Sequence, residues 1–311
     1  MADAIDPVHD VLEGCIVVLA GPGVIDDDAL EGLRELARAG DLGVANTWGA
    51  KGVFSWDSPH HLGTCGLQAH DFELLGFAEA DVIVTTGLSD DESPHGRFAL
   101  APVVDVAPRD LAMLVGRVRA AATPSNALYP RLAAVAQPGY ADQKVPLHPA
   151  RAVADLGAVL PDGGLVTATP GVAGLWVARV FPTPALRPGE PRRVVVPSRN
   201  EPGVAARIAI AAAREARPTI LVTTADPDLT TRAALDEAEA EGLDLVVVEW
   251  GMTGSLRNVD EHQARVRDAL VAGGFVRIAV PVDLRDTRLL VEAAGDVVAW
   301  GGLTESELGA G

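Results

Sequence analysis

Short apolar runs alternate with helically spaced apolar positions along almost the whole chain. Cys15-Ile-Val-Val-Leu-Ala20 is a continuous apolar run, the pattern of a parallel strand covered on both faces. Gly21-Pro-Gly23 breaks it and Asp26-Asp-Asp28 supplies helix-start chemistry. Leu30, Leu33, Leu36 and Ala37 then recur at helical spacing up to Gly40. Further strands are predicted over 44–47, 81–86 and 102–106, with helices over 72–78 and 111–118. Between about 120 and 146 the periodicity fades into Ala, Pro, Gly and polar residues, interrupted by a short helix over 125–135. The alternation then resumes. Helices are predicted over 148–160, 174–180, 203–216, 230–241, 260–272 and 283–293, and strands over 164–168, 193–196, 219–223, 245–249 and 276–280.

This alternation predicts an α/β fold of two open, mostly parallel-sheet domains with helices on both faces. The boundaries fall at 1–120 and 148–311, with 121–147 as the linker. A length of 311 residues is enough for each domain to bury its own core. Hydrophobic residues make up 48% and charged residues 22%, which argues against disorder. The formal net charge of -18 disfavours nucleic acid and anionic membrane as partners. The densest basic pair, Arg192-Arg193, leads straight into the apolar Val194-Val-Val196 rather than forming a patch. The acidic start Met1-Ala-Asp-Ala-Ile-Asp-Pro7 is unlike a signal peptide, and no apolar run approaches the roughly 20 residues of a membrane span. Cys15 and Cys65 lack metal-type spacing and read as core residues of a reduced, cytoplasmic protein.

Several segments of the first half carry a more specific signal. These are Val17-Val-Leu-Ala-Gly-Pro-Gly-Val24, Ala45-Asn-Thr-Trp-Gly-Ala-Lys-Gly-Val-Phe54, Asp57-Ser-Pro-His-His-Leu-Gly63, Glu79-Ala-Asp-Val-Ile-Val-Thr-Thr-Gly87 and Val103-Val-Asp-Val-Ala-Pro108. In order and spacing they resemble the central domain of the thiamine-diphosphate (ThDP) enzymes grouped with acetolactate synthase and benzoylformate decarboxylase. In some members that domain binds FAD or ADP. Gly21-Pro-Gly23 could cradle a phosphate on backbone N–H groups, but Pro22 removes a donor and Asp26-Asp-Asp28 would repel an anion. A plain strand-to-helix turn is the expectation, with His60 and His61 as loop residues.

The second half resembles the same family's diphosphate-binding domain, more loosely. Leu147-His-Pro-Ala-Arg-Ala-Val-Ala-Asp-Leu156 corresponds to its opening helix, and Asp162-Gly-Gly-Leu-Val-Thr-Ala-Thr-Pro-Gly171 to its first strand and glycine turn. The family carries Gly-Asp-Gly where this chain has Ala225-Asp-Pro227, and two asparagines where Glu249 and Trp250 stand. The resemblance implies ThDP held through Mg²⁺, an ion that takes near-octahedral oxygen ligands. Asp226 and Glu249 are then the candidate metal ligands, and Gly171, Ala225, Asp226, Gly251, Met252 and Gly254 the cofactor-binding positions. No catalytic residue is assigned. A purely local role is open beside this, with Asp226 and Asp228 capping a helix that starts near Thr230.

The family's enzymes begin with a pyrimidine-binding domain whose glutamate activates the cofactor, and no residue here carries over to that role. The expectation is a subunit with a degenerate magnesium–diphosphate site, unable to catalyse alone. It would support a 2-oxo acid decarboxylase or carboligase only with a separate pyrimidine-binding partner. The alternatives are a catalytically silent structural or regulatory subunit, or a protein binding FAD, ADP or NAD. Homo- or hetero-oligomerisation is implied in each case by the resemblance.

Overall fold

A computed structural model of the chain describes residues 11–305 and Glu307, so the acidic segment 1–7 lies outside the described residues. Two compact units are present. The first is built from residues up to Leu132 with Thr183–Pro191 and Ala294–Asp296, the second from Ala133–Pro182, Arg192–Ala293 and the described residues from Val297 onward.

The first unit runs β1 (Leu12–Ala20), α1 (Gly23–Asp26), α2 (Leu30–Gly40), β2 (Gly43–Thr47), β3 (His61–Cys65), α3 (Asp71–Leu74), β4 (Val82–Thr86), α4 (His95–Phe98), β5 (Val103–Asp105) and β6 (Val118–Ala122). The strand order is β3-β2-β1-β4-β5, with β6 pairing beside the first residues of β1, and every pairing is parallel. Successive residues of β1 enter opposite cores. Ile16, Val18 and Ala20 pack with Leu30, Leu33 and Leu36 of α2, while Val17 and Leu19 pack with Phe72, Leu75, Phe77 and Phe98. Burial on both faces is why β1 reads as an unbroken apolar run.

The second unit opens within α5 (Leu128–Tyr140), which begins in the first. It continues with α6 (Pro149–Val159), β7 (Leu165–Ala168), α7 (Val172–Val180), β8 (Val194–Val195), α8 (Val204–Arg214), β9 (Thr219–Thr224), α9 (Leu229–Glu241), β10 (Leu245–Gly251), α10 (Asp260–Ala272), β11 (Phe275–Pro281) and α11 (Thr287–Ala294). Its five parallel strands lie in the order β8-β7-β9-β10-β11. Leu221, Leu245 and Val247 face the alanine-rich α8 and α9. Ile220, Val222, Val246, Val248 and Trp250, the alternate positions, are buried on the other face.

Several local expectations differ from the structure. The Asp26-Asp-Asp28 run does not cap α2. The N-cap is Ala29, and Asp28 sits at φ 53 with its Oδ1 accepting the Gly189 N–H at 3.2 Å. The helix is held instead by its buried face of Leu30, Leu33, Leu36 and Ala37. Residues 108–114 form a 3-10 turn in place of the helix expected over 111–118, because Gly116 at φ 81 redirects the chain into β6. Helix α5 starts later and runs further than the short helix expected over 125–135, with Pro138 inside it.

Candidate functional site

In the second unit the chain passes from β7 to β8 on one side of the sheet and then to β9 on the other. The turns after β7 and β9 therefore flank the point where strand order reverses, the usual ligand position of an open parallel sheet. Three turns carrying the predicted residues lie along this C-terminal edge: Thr169-Pro-Gly171 after β7, Ala225-Asp-Pro227 after β9, and Met252-Thr-Gly254 after β10. They are tied by backbone hydrogen bonds, Thr169 N–H to Val222 O at 3.0 Å and Ala225 N–H to Trp250 O at 2.9 Å. The topology thus brings the sequence-predicted positions to one edge.

The side chains there are engaged with one another. Asp226 is exposed and pairs with Arg232 of α9. Asp228, not Asp226, caps α9, accepting the Thr231 N–H at 2.9 Å and the Thr231 hydroxyl at 2.5 Å. Burial pushes the Asp228 carboxyl up, but these bonds, with a further one from Gly203 N–H, hold it below its ordinary value. Glu249 lies 3.6 Å from Arg277, which also binds Asp236 of α9 at 2.7 Å. Its neighbour Trp250 points to the opposite face and is buried, its Nε1 without a hydrogen-bond partner among the described residues. A Cβ on Gly251 would lie 2.9 Å from that of Ala225, so the alanine methyl already fills the space between these two turns. Met252 is 68% exposed, and Gly254 packs against the β11 backbone, where a Cβ would meet Ala279 O at 2.5 Å.

Gly171 is the N-cap of α7, with φ 101 and ψ −151, a conformation reserved for glycine. The space beside it holds the carboxylate of Glu307, a residue the sequence reading did not single out. Among the described residues no group of three or more His, Cys, Asp or Glu side chains is placed to hold a metal ion. As they stand, these residues do not fit a magnesium-bound diphosphate. Asp226 is engaged by Arg232, Glu249 lies beside an arginine that it shares with Asp236 and Glu239, Pro227 has no N–H to donate, and Trp250 is core rather than ligand.

In the first unit the Gly21-Pro-Gly23 turn offers no phosphate cradle. Gly21 N–H donates to Thr86 O and Gly23 N–H to Gly87 O, both at 2.9 Å, so the donors are spent on the turn after β4. Beside it, over the ends of β4 and β5, lies a cleft of about 550 Å³ lined by Thr85, Gly87, Asp90, Ser93, His95 and Asp105 among others. Asp105 accepts the Thr85 hydroxyl at 2.7 Å, and the buried Ser93 hydroxyl has no hydrogen-bond partner among the described residues.

Residues 15–121 match the family described as "Thiamine pyrophosphate enzyme, central domain". The order and parallel pairing of β1 to β5 lie within this matched segment. Solved ThDP-enzyme structures share the fold of the longer chain around it. One is a protein from Mycobacterium smegmatis assigned as a thiamin diphosphate-dependent enzyme, with TM-score 0.61 and 16% identity. Another is benzoylformate decarboxylase from Polynucleobacter necessarius, with TM-score 0.64 and 13% identity. Each similarity covers 86% of this chain but only 61% of the other, so the chain spans less than two thirds of those proteins. No curated protein matches it. No helix among the described residues is long and apolar enough to cross a membrane.

Within the central domain, His60 and His61 were expected as loop residues, but His61 opens β3 and sits on Asn46, Nε2 to Oδ1 at 2.9 Å. Burial, reinforced by the Lys51 charge, pushes its pKa down from 6.5 to about 4. Between those values the unfolded chain takes up a proton that the folded chain refuses, so stability falls as pH drops through the window. The loss reaches about 2–3 kcal/mol at the acid end. His148, lowered by burial in the second unit, adds in the same direction. Urea unfolding between pH 7.5 and 4.5 is expected to show this slope, and His61→Gln to flatten most of it. An unchanged slope in that variant would rule His61 out as its source.

Proposed function

We propose that the chain is a ThDP-enzyme-like subunit whose diphosphate site is degenerate and which does not catalyse alone. The observation that carries this reading is the C-terminal edge of the second sheet. Three turns from adjacent strands stand there around the strand-order reversal, while Asp226 pairs with Arg232 and Glu249 lies 3.6 Å from Arg277. When bound, ThDP supplies ylide chemistry for cleaving or forming a bond next to a 2-oxo group. The residues that would meet it here are Gly171, Ala225, Asp226, Gly251, Met252 and Gly254, with Asp226 and Glu249 toward Mg²⁺. In this chain they position a scaffold and no residue among them moves a proton. A 2-oxo acid decarboxylase or carboligase activity would require a separate pyrimidine-binding partner in a homo- or hetero-oligomer. Without one, the subunit is structural or regulatory.

Titration calorimetry of the full chain with ThDP and Mg²⁺ tests this. The expected result is no saturable heat below a Kd of about 1 mM, since the net electrostatic and hydrogen-bond terms that create tight diphosphate sites are missing. Micromolar binding to the chain alone would overturn the degenerate-site reading.

A second reading has its own support in the cleft over β4 and β5. Its carboxylates suit the hydroxyls of a ribose better than phosphate, because the neighbouring glycine turn has no N–H left to give. A nucleotide such as FAD, ADP or NAD would be held there through its nucleoside end. A flavin spectrum of the purified protein, or saturation-transfer NMR with ADP and adenosine, decides it. Equal silence from all three ligands removes this reading.

A further inference from the structure

We propose that Thr183–Pro191 is a latch on the first unit, which closes the Lys51-Gly52 loop and whose release exposes the Lys51 ammonium. This goes beyond the diphosphate site and does not depend on it.

The segment comes from the second half of the sequence yet belongs to the first unit, while Pro182 before it and Arg192 after it belong to the second. It forms no helix or strand, and prolines at 184, 188 and 191 restrict its backbone, which lowers the entropy cost of holding it in one extended path. Leu186 is 1% exposed and enters the core on the α2 face with Val24, Leu30, Ala50 and Val53.

The receiving surface is the loop after β2. Leu186 N–H donates to Gly52 O at 2.9 Å, and Trp56 N–H donates to Thr183 O at 3.2 Å. Arg34 of α2 ties the two stretches together. Its Nη2 donates to Leu186 O at 2.7 Å and to Gly52 O at 3.3 Å, and its Nε to Val53 O at 2.8 Å. At the far end Gly189 N–H reaches Asp28 Oδ1 at 3.2 Å. Gly52 sits at φ 99, and a Cβ there would lie 2.7 Å from Leu186 Cγ. The glycine therefore serves both its own backbone conformation and the approach of the leucine.

Lys51 lies directly before this contact. It is 7% exposed, and its Nζ donates to the Thr64 hydroxyl at 3.5 Å. Lysine is almost never so buried unless its surroundings hold it there. The depressed pKa of His61, set first by burial and then by the Lys51 charge, reports the same dry environment. From the other side the loop is held by Gly49 N–H donating to Glu92 Oε2 at 3.0 Å, a bond the latch does not touch. Release removes the bonds on Gly52 O and one apolar anchor while the pairing of β1 to β5 stays whole. That is a local opening rather than an unfolding.

Lys51 and Lys144 are the lysines of the chain, and Lys144 is exposed, so acetylation by acetic anhydride followed by mass spectrometry carries its own control. In the native full chain Lys51 is expected to react at least about a hundredfold more slowly than Lys144. Leu186→Ala, checked for folding by circular dichroism, is expected to speed Lys51 by about tenfold or more with Lys144 unchanged. Ala185→Ser, at an exposed position of the same segment, leaves both rates as they were. In Leu186→Ala the His61 imidazole is also expected to titrate above its native value of about 4. A folded Leu186→Ala chain whose Lys51 stays as slow as in the native protein would overturn the inference, as would a native Lys51 that reacts like Lys144. Hydrogen exchange of the native chain decides independently of any variant. The Leu186 amide is expected to exchange at least about tenfold faster than that of Val18 in β1. Equal rates would mean that the segment leaves only when the whole unit unfolds, and that it is no latch.

Discussion

Gly21→Ala is expected to destabilise the first unit by about 4 kcal/mol or more, near the upper limit for a single added methyl group. The backbone of Gly21 is not in a left-handed conformation, so the cost is steric. Its Cβ would lie 2.3 Å from Gly87 O and 2.5 Å from Leu88 Cα, backbone atoms that cannot rotate aside. The relation is mutual, since a Cβ on Gly87 would come within 2.7 Å of Val24 N. The turns after β1 and β4 thus interlock through their glycines, and the hydrogen bonds Gly21 N–H to Thr86 O and Gly23 N–H to Gly87 O close the contact. Gly96→Ala is the control. No atom lies within 4 Å of its Cβ position and it sits in α4, so the change is expected to be neutral within about 0.5 kcal/mol or mildly stabilising. Guanidinium unfolding of both variants reads the difference. A Gly21→Ala loss under about 1 kcal/mol would mean that the two turns can separate. The glycine turn would then be free to open toward a ligand, contrary to its role here as a packing device.

What could be read before the structure follows from how each signal arises. β1, β9 and β10 are buried on both faces, so their apolar runs are continuous and their positions were evident. The predicted helix 260–272 coincides with α10. β3 and β6 were not recognised. His61-Leu-Gly-Thr-Cys65 has only one large apolar residue, Leu62, beside a glycine at φ 141, and Val118-Arg-Ala-Ala-Ala122 carries the composition of a helix. The class of parallel α/β sheet was legible because it depends on alternation rather than on any one element.

The candidate edge was legible in position only. Aligning strand ends places Gly171, Ala225, Asp226 and Gly251 together because all strands run parallel, and this needs no side-chain contact. What those side chains do depends on partners remote in sequence. Glu249 finds Arg277 across the sheet, and Gly171 finds Glu307. The capping-box spacing Thr304-x-x-Glu307 was visible as a local pattern, but nothing local announces that its carboxylate lies beside Gly171. Such pairings cost no periodicity and leave no trace in it.

Trp250→Asn places an amide at one of the two positions where the resemblance leads one to expect asparagine, and is expected to cost about 4–5 kcal/mol while creating no metal site. Trp250 is 1% exposed and sits in β10 between Thr224 of β9 and Val280 of β11. Removing the indole opens a large cavity, and the amide placed there would lack partners, so the cavity and desolvation terms add. Trp250→Phe separates them. The indole Nε1 is buried without a hydrogen-bond partner among the described residues, so phenylalanine deletes an unsatisfied donor along with some volume. Its expected cost is about 1–2 kcal/mol. Urea unfolding gives the ordering, and calorimetry with Mg²⁺ and ThDP on Trp250→Asn gives the functional result, expected to be no binding. The neighbouring strand positions explain why one substitution does not rebuild the site. Glu249 remains turned toward Arg277 on the other face, and Asp226 remains with Arg232, so the added amide oxygen would have no second ligand within the same coordination shell. A Trp250→Asn chain of native stability that binds magnesium and ThDP would show that the indole merely fills a ligand position. The expected loss of stability instead makes it part of the core around which the second sheet is folded.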